Sequence, residues 1–133
     1  MEKIEHLGIA VKSINDANRI FTSLFGESNY KMEEVLDEGV VTSFFKIGPN
    51  KIELLEATNP NSAVAKFIEK KGEGIHHIAF SVENIYDEIK RLKALGFHIL
   101  NEVPKKGADN KLISFVHPKS VNGILIELCQ DIK

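Results

Sequence analysis

Apolar and polar residues alternate over residues 3–11, which is the pattern of a β-strand with two different faces. A helical spacing of apolar residues follows, with Ser13 or Asn15 as a possible N-cap and Gly26 at the C-terminal end. The residues predicted to share one face of this helix are Ala17, Ile20, Phe21, Leu24 and Phe25. Three strand-like runs then come at about 29–36, 40–47 and 51–56, separated by turn-forming residues. This half of the chain therefore predicts the order β-α-β-β-β.

The second half predicts the same order of elements. After a break at 59–62, Ser62 can cap a short helix from Ala63 to Lys70. A strand at 74–82 and a helix from about Asn84 to Leu95 come next. The remaining predicted elements are strands near 97–102, 111–117 and 122–129, with a polar loop from Pro104 to Asn110.

The two halves also resemble each other in sequence. The run from Ile4 to Val11 is echoed from Ile75 to Val82, and the run from Lys51 to Leu55 is echoed from Leu125 to Cys129. Each half thereby offers one histidine near its start and one glutamate near its end. With 133 residues, we expect a single domain, 1–133, made of modules at about 1–57 and 73–133 joined by a short helical linker.

Strand alternation places the four repeated polar residues on comparable faces. His6 and His77 are each followed on their own face by small residues, and the opposite face carries the large apolar residues that a helix would cover. Glu53 and Glu127 each lie between Ile and Leu, where a buried carboxylate is costly unless it is paired or bound to a cation.

These four residues form a candidate metal site. Two neutral imidazoles and two carboxylates balance a divalent charge and suit Zn, Ni, Co, Mn or Fe(II) better than Ca. A single His or Glu on a strand is more often a surface or satisfied polar residue, but matched positions in a repeat favour a metal role for His6, Glu53, His77 and Glu127. Of the remaining histidines, His76 is predicted to be structural and His98 to be a surface residue. His117 lies in a turn and is a candidate to line the cup, although a turn residue without that role is the more common case.

Composition narrows the class of protein. The formal net charge of -2 shows no basic patch for nucleic acid, and no apolar run approaches the ~20 residues of a membrane span. Cys129 is the only cysteine, which fits a reducing compartment, and no signal peptide is visible, so we expect a cytoplasmic protein. A homodimer is expected, because open sheets leave edges that need covering.

The chain resembles the vicinal oxygen chelate superfamily and, within it, the methylmalonyl-CoA epimerases. The segments that carry the resemblance are 6–11, 51–56, 65–67, 72–80, 117–120 and 123–128, of which Gly-Glu-Gly-Ile-His-His and His-Pro-Lys-Ser are the most specific. The resemblance implies an α+β fold in which two tandem βαβββ modules form a curved eight-stranded cup around a metal site. It places metal ligands at His6, His77 and Glu127, with Glu53 in the fourth position. Some epimerases have Gln there, whereas Glu53 also matches bacterial glyoxalase I.

The activity implied is a metal-dependent epimerase that interconverts (2R)- and (2S)-methylmalonyl-CoA. A proton alpha to the thioester is removed and returned through a metal-stabilised enediolate, with Glu127 as one base and Glu53 as the second. Asp37 and Glu38 are fallback candidates for a base, although acidic residues in a turn are more often simply exposed to solvent. The alternatives are a glyoxalase I acting on a methylglyoxal-thiol hemithioacetal, favoured by Glu53 and by a departure from the epimerase pattern at 107–111, and a non-catalytic small-molecule binding protein. No phosphate-cradling glycine loop is found, and no CoA-binding residue is predicted.

Overall fold

The computed structural model describes residues 1–133 and contains eight strands and three α-helices. In chain order they are β1 (Lys3–Ala10), α1 (Ile14–Phe25), β2 (Lys31–Val35), β3 (Val40–Ile47), β4 (Asn50–Ala57), α2 (Ala63–Lys71), β5 (Gly74–Ser81), α3 (Ile85–Ala94), β6 (Lys105–Lys106), β7 (Lys111–Val116) and β8 (Ile126–Asp131). The predicted order β-α-β-β-β is present in both halves. Two compact units divide the chain, residues 6–76 and residues 77–133 together with 1–5.

In the first unit the strands run in the order β2-β3-β4-β1. The β1–β4 pair is parallel and the other two pairs are antiparallel. One face of these strands is covered by α1, where Val11, Ile14, Ala17, Phe45 and Leu54 form a buried core. Burying a large apolar side chain of this kind stabilises the fold by roughly 1.5–3 kcal/mol.

Helix α1 is bounded by the residue types that its sequence predicts. The Ser13 side chain accepts a hydrogen bond from the Asp16 N–H, and Gly26 ends the helix in the left-handed conformation at φ 77°. The expectation that Ile20 and Leu24 face the core is wrong, since they are 64% and 70% exposed. The inward stripe runs through positions 14, 17, 21 and 25, and a residue one position before a member of the stripe is turned by about 100°.

The second unit repeats this arrangement with the strand order β5-β8-β7-β6. Its β5–β8 pair is parallel, as β1–β4 is in the first unit. Helix α3 begins after the cap Asn84 and packs its apolar face on the strands. The buried core there consists of Val82, Ile85, Ile89, Leu92, Ile99, Val116, Ile126 and Leu128.

The strand predicted at 97–102 does not form, and the first strand after α3 is the two-residue β6 instead. Only an isolated bridge joins Ile99 to Val116. Next to it, the Asn101 side chain accepts the Phe115 N–H at 3.2 Å, and the Asn101 carbonyl accepts the Ser114 hydroxyl at 2.5 Å. The Asn101 side chain and the Ser114 hydroxyl thus form hydrogen bonds that backbone groups would form in a regular pair of strands.

Two other boundaries differ from the prediction. Strand β8 begins at Ile126 rather than near 122, because Asn122 and Gly123 turn the chain at φ 54° and 84°. The predicted loop 104–110 contains β6 and a short 3-10 turn at Ala108–Asn110. The longest helix has 12 residues, well short of the roughly 20 needed to cross a membrane, and none of the helices qualifies as a span.

Candidate metal centre

The first half of the chain buries one histidine next to one glutamate. His6 lies in β1 and Glu53 in β4, and the parallel register of these strands sets Glu53 opposite Gly8. The His6 Nε2 atom is 3.2 Å from the Glu53 Oε1 atom. Both residues are only 5% exposed. Gly8 therefore presents no side chain at the position opposite the carboxylate.

The second half buries an equivalent pair. His77 lies in β5 and Glu127 in β8, where the register sets Glu127 opposite Ala79. The His77 Nε2 atom is 3.3 Å from the Glu127 Oε1 atom, and the two residues are 4% and 6% exposed. The small residue two positions after the histidine therefore faces the glutamate in both halves.

A phenylalanine lies on the other side of each glutamate. In the antiparallel pairs, Phe44 is opposite Glu53 and Phe115 is opposite Glu127. The Phe115 ring also contacts the His77 ring edge-on, with centroids 6.2 Å apart and an interplanar angle of 88°. This aromatic contact holds one orientation of the imidazole. Neither phenylalanine was identified as a site residue from the sequence, because their positions depend on the register of strands.

Three of the four predicted ligands form a group that could hold a metal ion. One ligand atom each of His6, His77 and Glu127 lies within 4.8 Å of the others. Glu53 is adjacent to His6 but is not part of that group of three.

The residues fit a divalent ion. Two ligand atoms that each lie about 2.0–2.2 Å from one ion are separated by roughly 3–3.5 Å, and both His–Glu pairs have that spacing. Both carboxylates are buried, which is costly for an anion unless a cation or hydrogen-bond donors compensate it. Imidazole nitrogen and carboxylate oxygen together suit first-row transition metals.

Next to the second pair, the same face of the sheet is apolar. Ala79, Ile113 and Cys129 form a buried cluster against which Phe115 packs. Gly107 closes one end, since a Cβ atom at that position would lie 2.7 Å from the Ile113 Cδ1 atom. The loop at 107–111, which departs from the epimerase pattern, therefore packs directly on this cluster.

The other candidate residues differ in their surroundings. Asp37 is exposed, whereas Glu38 is half-buried in the 3-10 turn between β2 and β3. The His76 ring packs edge-on against Phe67 at 5.1 Å, which agrees with a structural role. His98 is exposed as predicted, but its ring stacks on that of His117, with centroids 5.0 Å apart.

Comparisons with known proteins agree with this architecture. The glyoxalase/bleomycin resistance protein/dioxygenase superfamily matches residues 5–115. The ethylmalonyl-CoA/methylmalonyl-CoA epimerase of Cereibacter sphaeroides is 37% identical over 130 residues, covering 96% of this chain and 97% of that protein. An uncharacterized protein of Bacillus subtilis is also 37% identical over 130 residues, covering 98% and 93%.

A solved structure extends the likeness to the whole fold. A variant of Streptomyces coelicolor methylmalonyl-CoA epimerase in complex with 2-nitronate-propionyl-CoA has a TM-score of 0.95 at 31% identity, covering 98% of this chain and 95% of that one. The predicted α+β fold is thus confirmed, and the comparisons group the chain with isomerases of the epimerase class. The chain belongs to the glyoxalase/bleomycin resistance protein/dioxygenase superfamily, in which methylmalonyl-CoA epimerases are its close homologues.

Proposed function

We propose that this protein is a metal-dependent epimerase that interconverts (2R)- and (2S)-methylmalonyl-CoA. The observation that carries the proposal is the pair of buried His–Glu contacts, one from each half of a chain similar to epimerases over its whole length. A binding protein without chemistry would have no need for two carboxylates held at metal-ligand spacing.

The metal ligands in this proposal are His6, His77 and Glu127, with Glu53 in the fourth position. A bound Co, Ni, Zn, Mn or Fe(II) ion would supply positive charge that stabilises the negative charge developing on the substrate oxygens. Burial of the four side chains keeps water away from that charge, which strengthens each electrostatic interaction.

The two glutamates are the proposed acid-base groups. Inversion at C2 requires that a proton leave from one face of the carbon and that another arrive at the opposite face. Glu127 and Glu53 occupy equivalent positions in the two modules, so one can accept the proton while the other returns one. Each carboxylate has a second oxygen beyond the one that contacts its histidine, and that oxygen can carry the proton.

Proton NMR in D₂O tests the proposal directly. Metal-loaded protein is mixed with one stereoisomer of methylmalonyl-CoA, and the C2 proton and the configuration are followed, with a chelator-treated sample as control. We expect loss of the C2 proton signal and appearance of the other stereoisomer, both suppressed by the chelator.

A folded, metal-loaded sample that shows no exchange would overturn the epimerase proposal. The next substrate would then be the hemithioacetal of methylglyoxal and a thiol, because Glu53 matches the fourth ligand of bacterial glyoxalase I. Isomerisation of that hemithioacetal would establish the alternative activity.

We further propose a cytoplasmic homodimer. Strand β2 is an edge strand whose Met32 is 44% exposed, and Ile20 and Leu24 on α1 are also exposed. The single thiol, Cys129, is fully buried and suits a reducing compartment. Light scattering during gel filtration measures the oligomeric state, and a mass of 14.9 kDa would contradict the dimer.

A further inference from the structure

The stacked histidines at the end of β7 are held in place by the backbone around them. The rings of His98 and His117 are nearly parallel, at an interplanar angle of 4°. The His117 N–H donates to the His98 carbonyl at 2.8 Å, and the His98 N–H donates to the Ser120 hydroxyl at 3.0 Å. The arrangement is therefore built into the chain rather than a chance contact of two mobile side chains.

One imidazole has a fixed orientation. The His117 Nδ1 atom accepts a hydrogen bond from the Lys119 N–H at 3.0 Å. In the neutral ring this leaves the proton on Nε2, so His117 presents its remaining nitrogen as a donor.

This cluster is continuous with the face that carries Glu127. His117 directly follows β7 and lies two residues beyond Phe115, so the alternation of the strand places both side chains on one face. Phe115 is opposite Glu127. Two residues along a strand correspond to about 7 Å, so a ligand that extends from Glu127 past Phe115 reaches His117 and then the exposed Lys119.

The side chains of His98, His117 and Lys119 form a cluster with three nitrogen donors and no carboxylate. Neither imidazole is within ion-pair distance of a carboxylate, and the Lys119 ammonium group forms no ion pair. Lys111, at the start of β7, differs in this respect because it forms an ion pair with Asp131. Imidazole N–H donors beside an ammonium group, with no acidic partner, suit a phosphate, which accepts charge-assisted hydrogen bonds from the ammonium group.

We infer that His98, His117 and Lys119 bind a phosphate group of the CoA part of an acyl-CoA thioester. The inference rests on the proposed function, because it takes the acyl end of the same molecule to lie at Glu127. It assigns a binding role to the His-Pro-Lys-Ser segment, which the metal centre does not use.

A comparison of three thioesters tests this inference kinetically. KM is measured for methylmalonyl-CoA, for its dephospho-CoA analogue and for methylmalonyl-pantetheine, with the wild type, Lys119→Gln, His117→Gln and His98→Asn. Removing one charged hydrogen bond to phosphate should raise the KM for methylmalonyl-CoA about tenfold relative to that for the pantetheine ester. If a variant also raises the KM for the dephospho-CoA ester, the residue binds the diphosphate. If the KM for that ester is unchanged, the residue binds the 3′-phosphate. Lys90→Gln, an exposed lysine on α3, is the matched control.

Equal changes in KM for the CoA and pantetheine esters, or no change for either, would overturn the inference. Binding of free CoA, followed by NMR of the imidazole protons, separates it from the proposed function. Shifts at His98 and His117 without any epimerase activity would support this site and reject the activity. Epimerase activity without shifts of the imidazole protons would support the proposed function and reject this phosphate site.

Discussion

In the first half of the chain Glu53 lies between Gly8 and Phe44, and in the second half Glu127 lies between Ala79 and Phe115. The repeat thus keeps the register that presents the glutamate next to its histidine. Three residues after each glutamate, a side-chain oxygen also accepts the N–H of the first residue of the helix in the same half. The Glu56 carboxylate accepts from Ile14 of α1, and the Gln130 side-chain amide oxygen accepts from Ile85 of α3.

The surroundings of the two pairs differ. Phe44 is only 1% exposed and packs against the Tyr30 ring, whereas Phe115 is half-buried and packs against His77. The second half also places His117 on the same face. The placement of the glutamate beside its histidine is therefore common to both halves, while the phenylalanine next to the glutamate is more exposed in the second half. We therefore expect the second half to contact most of the substrate.

The largest expected effect comes from Glu127→Gln. The amide keeps the shape of the carboxylate but cannot accept a proton at pH 7, so the rate of C2 proton exchange should fall by about 10²–10⁴-fold. NMR in D₂O measures the rate, and circular dichroism checks the fold. Glu34→Gln, on an exposed position of β2, is the control and should leave the rate unchanged. A folded Glu127→Gln protein with full activity would contradict the assignment of this base.

Glu53→Gln should separate exchange from inversion. The amide oxygen can still ligate a metal, but one face of C2 then lacks a base, so one stereoisomer should exchange its C2 proton while inversion slows by about 10²-fold. Glu38→Gln should leave both rates unchanged. The reverse outcome, with inversion lost in Glu38→Gln and kept in Glu53→Gln, would transfer the role of second base to Glu38.

Phe44→Ala and Phe115→Ala should weaken different properties. Loss of the fully buried Phe44 should lower the free energy of unfolding by about 3–5 kcal/mol. Phe115→Ala should lower the free energy of unfolding by less, because Phe115 is only half-buried. It should lower the metal affinity by more, because the His77 ring loses its edge-on neighbour. Urea unfolding and calorimetric titration with Zn measure the two effects. Equal losses of metal affinity in both variants would contradict the difference between the halves.

The smallest expected effect concerns the stability contributed by an ion pair on α3, compared with the corresponding ion pair on α1. Partial burial works to raise the pKa of Glu88, but its hydrogen bond with Arg91, the charge of Arg91 and the N-terminal ammonium group outweigh this and hold the pKa below the ordinary value. Since the folded pKa is the lower one, the ionised carboxylate stabilises the fold above the ordinary glutamate pKa of about 4.3. This contribution is lost as the pH falls from there through the folded pKa.

Glu88→Gln should therefore weaken the dependence of stability on pH at acid pH, as followed by urea unfolding at a series of pH values. The corresponding pair on α1, Asp16 with Arg19, is well exposed on both side chains and should contribute almost nothing, so Asp16→Asn serves as the comparison. Identical pH profiles for Glu88→Gln and the wild type would contradict this account.

The sequence predicted the parts of the fold that rest on local patterns. The repeated runs around His6 and His77 and around Glu53 and Glu127 located strands β1, β5, β4 and β8, and caps such as Ser13 and Ser62 located helix starts. The four candidate ligands followed because the repeat made them equivalent.

Features that depend on contacts distant in sequence were not predictable in the same way. The strand expected at 97–102 is replaced because the Asn101 side chain bonds to β7, a contact that no local pattern indicates. The place of Phe115 beside His77 requires the register of β7 and β8. The stacking of His98 on His117 occurs where the isolated bridge pairs Ile99 with Val116, which is again a contact between residues distant in sequence.

Metal stoichiometry tests the central proposal most directly, namely that the His–Glu pairs of both halves serve one ion. Zn or Co is titrated into apo protein by calorimetry, and bound metal is counted after gel filtration. We expect one ion per chain, and loss of nearly all of it in both His6→Gln and His77→Gln, with Glu34→Gln unchanged. Two ions per chain, or full binding in either histidine variant, would contradict a shared centre.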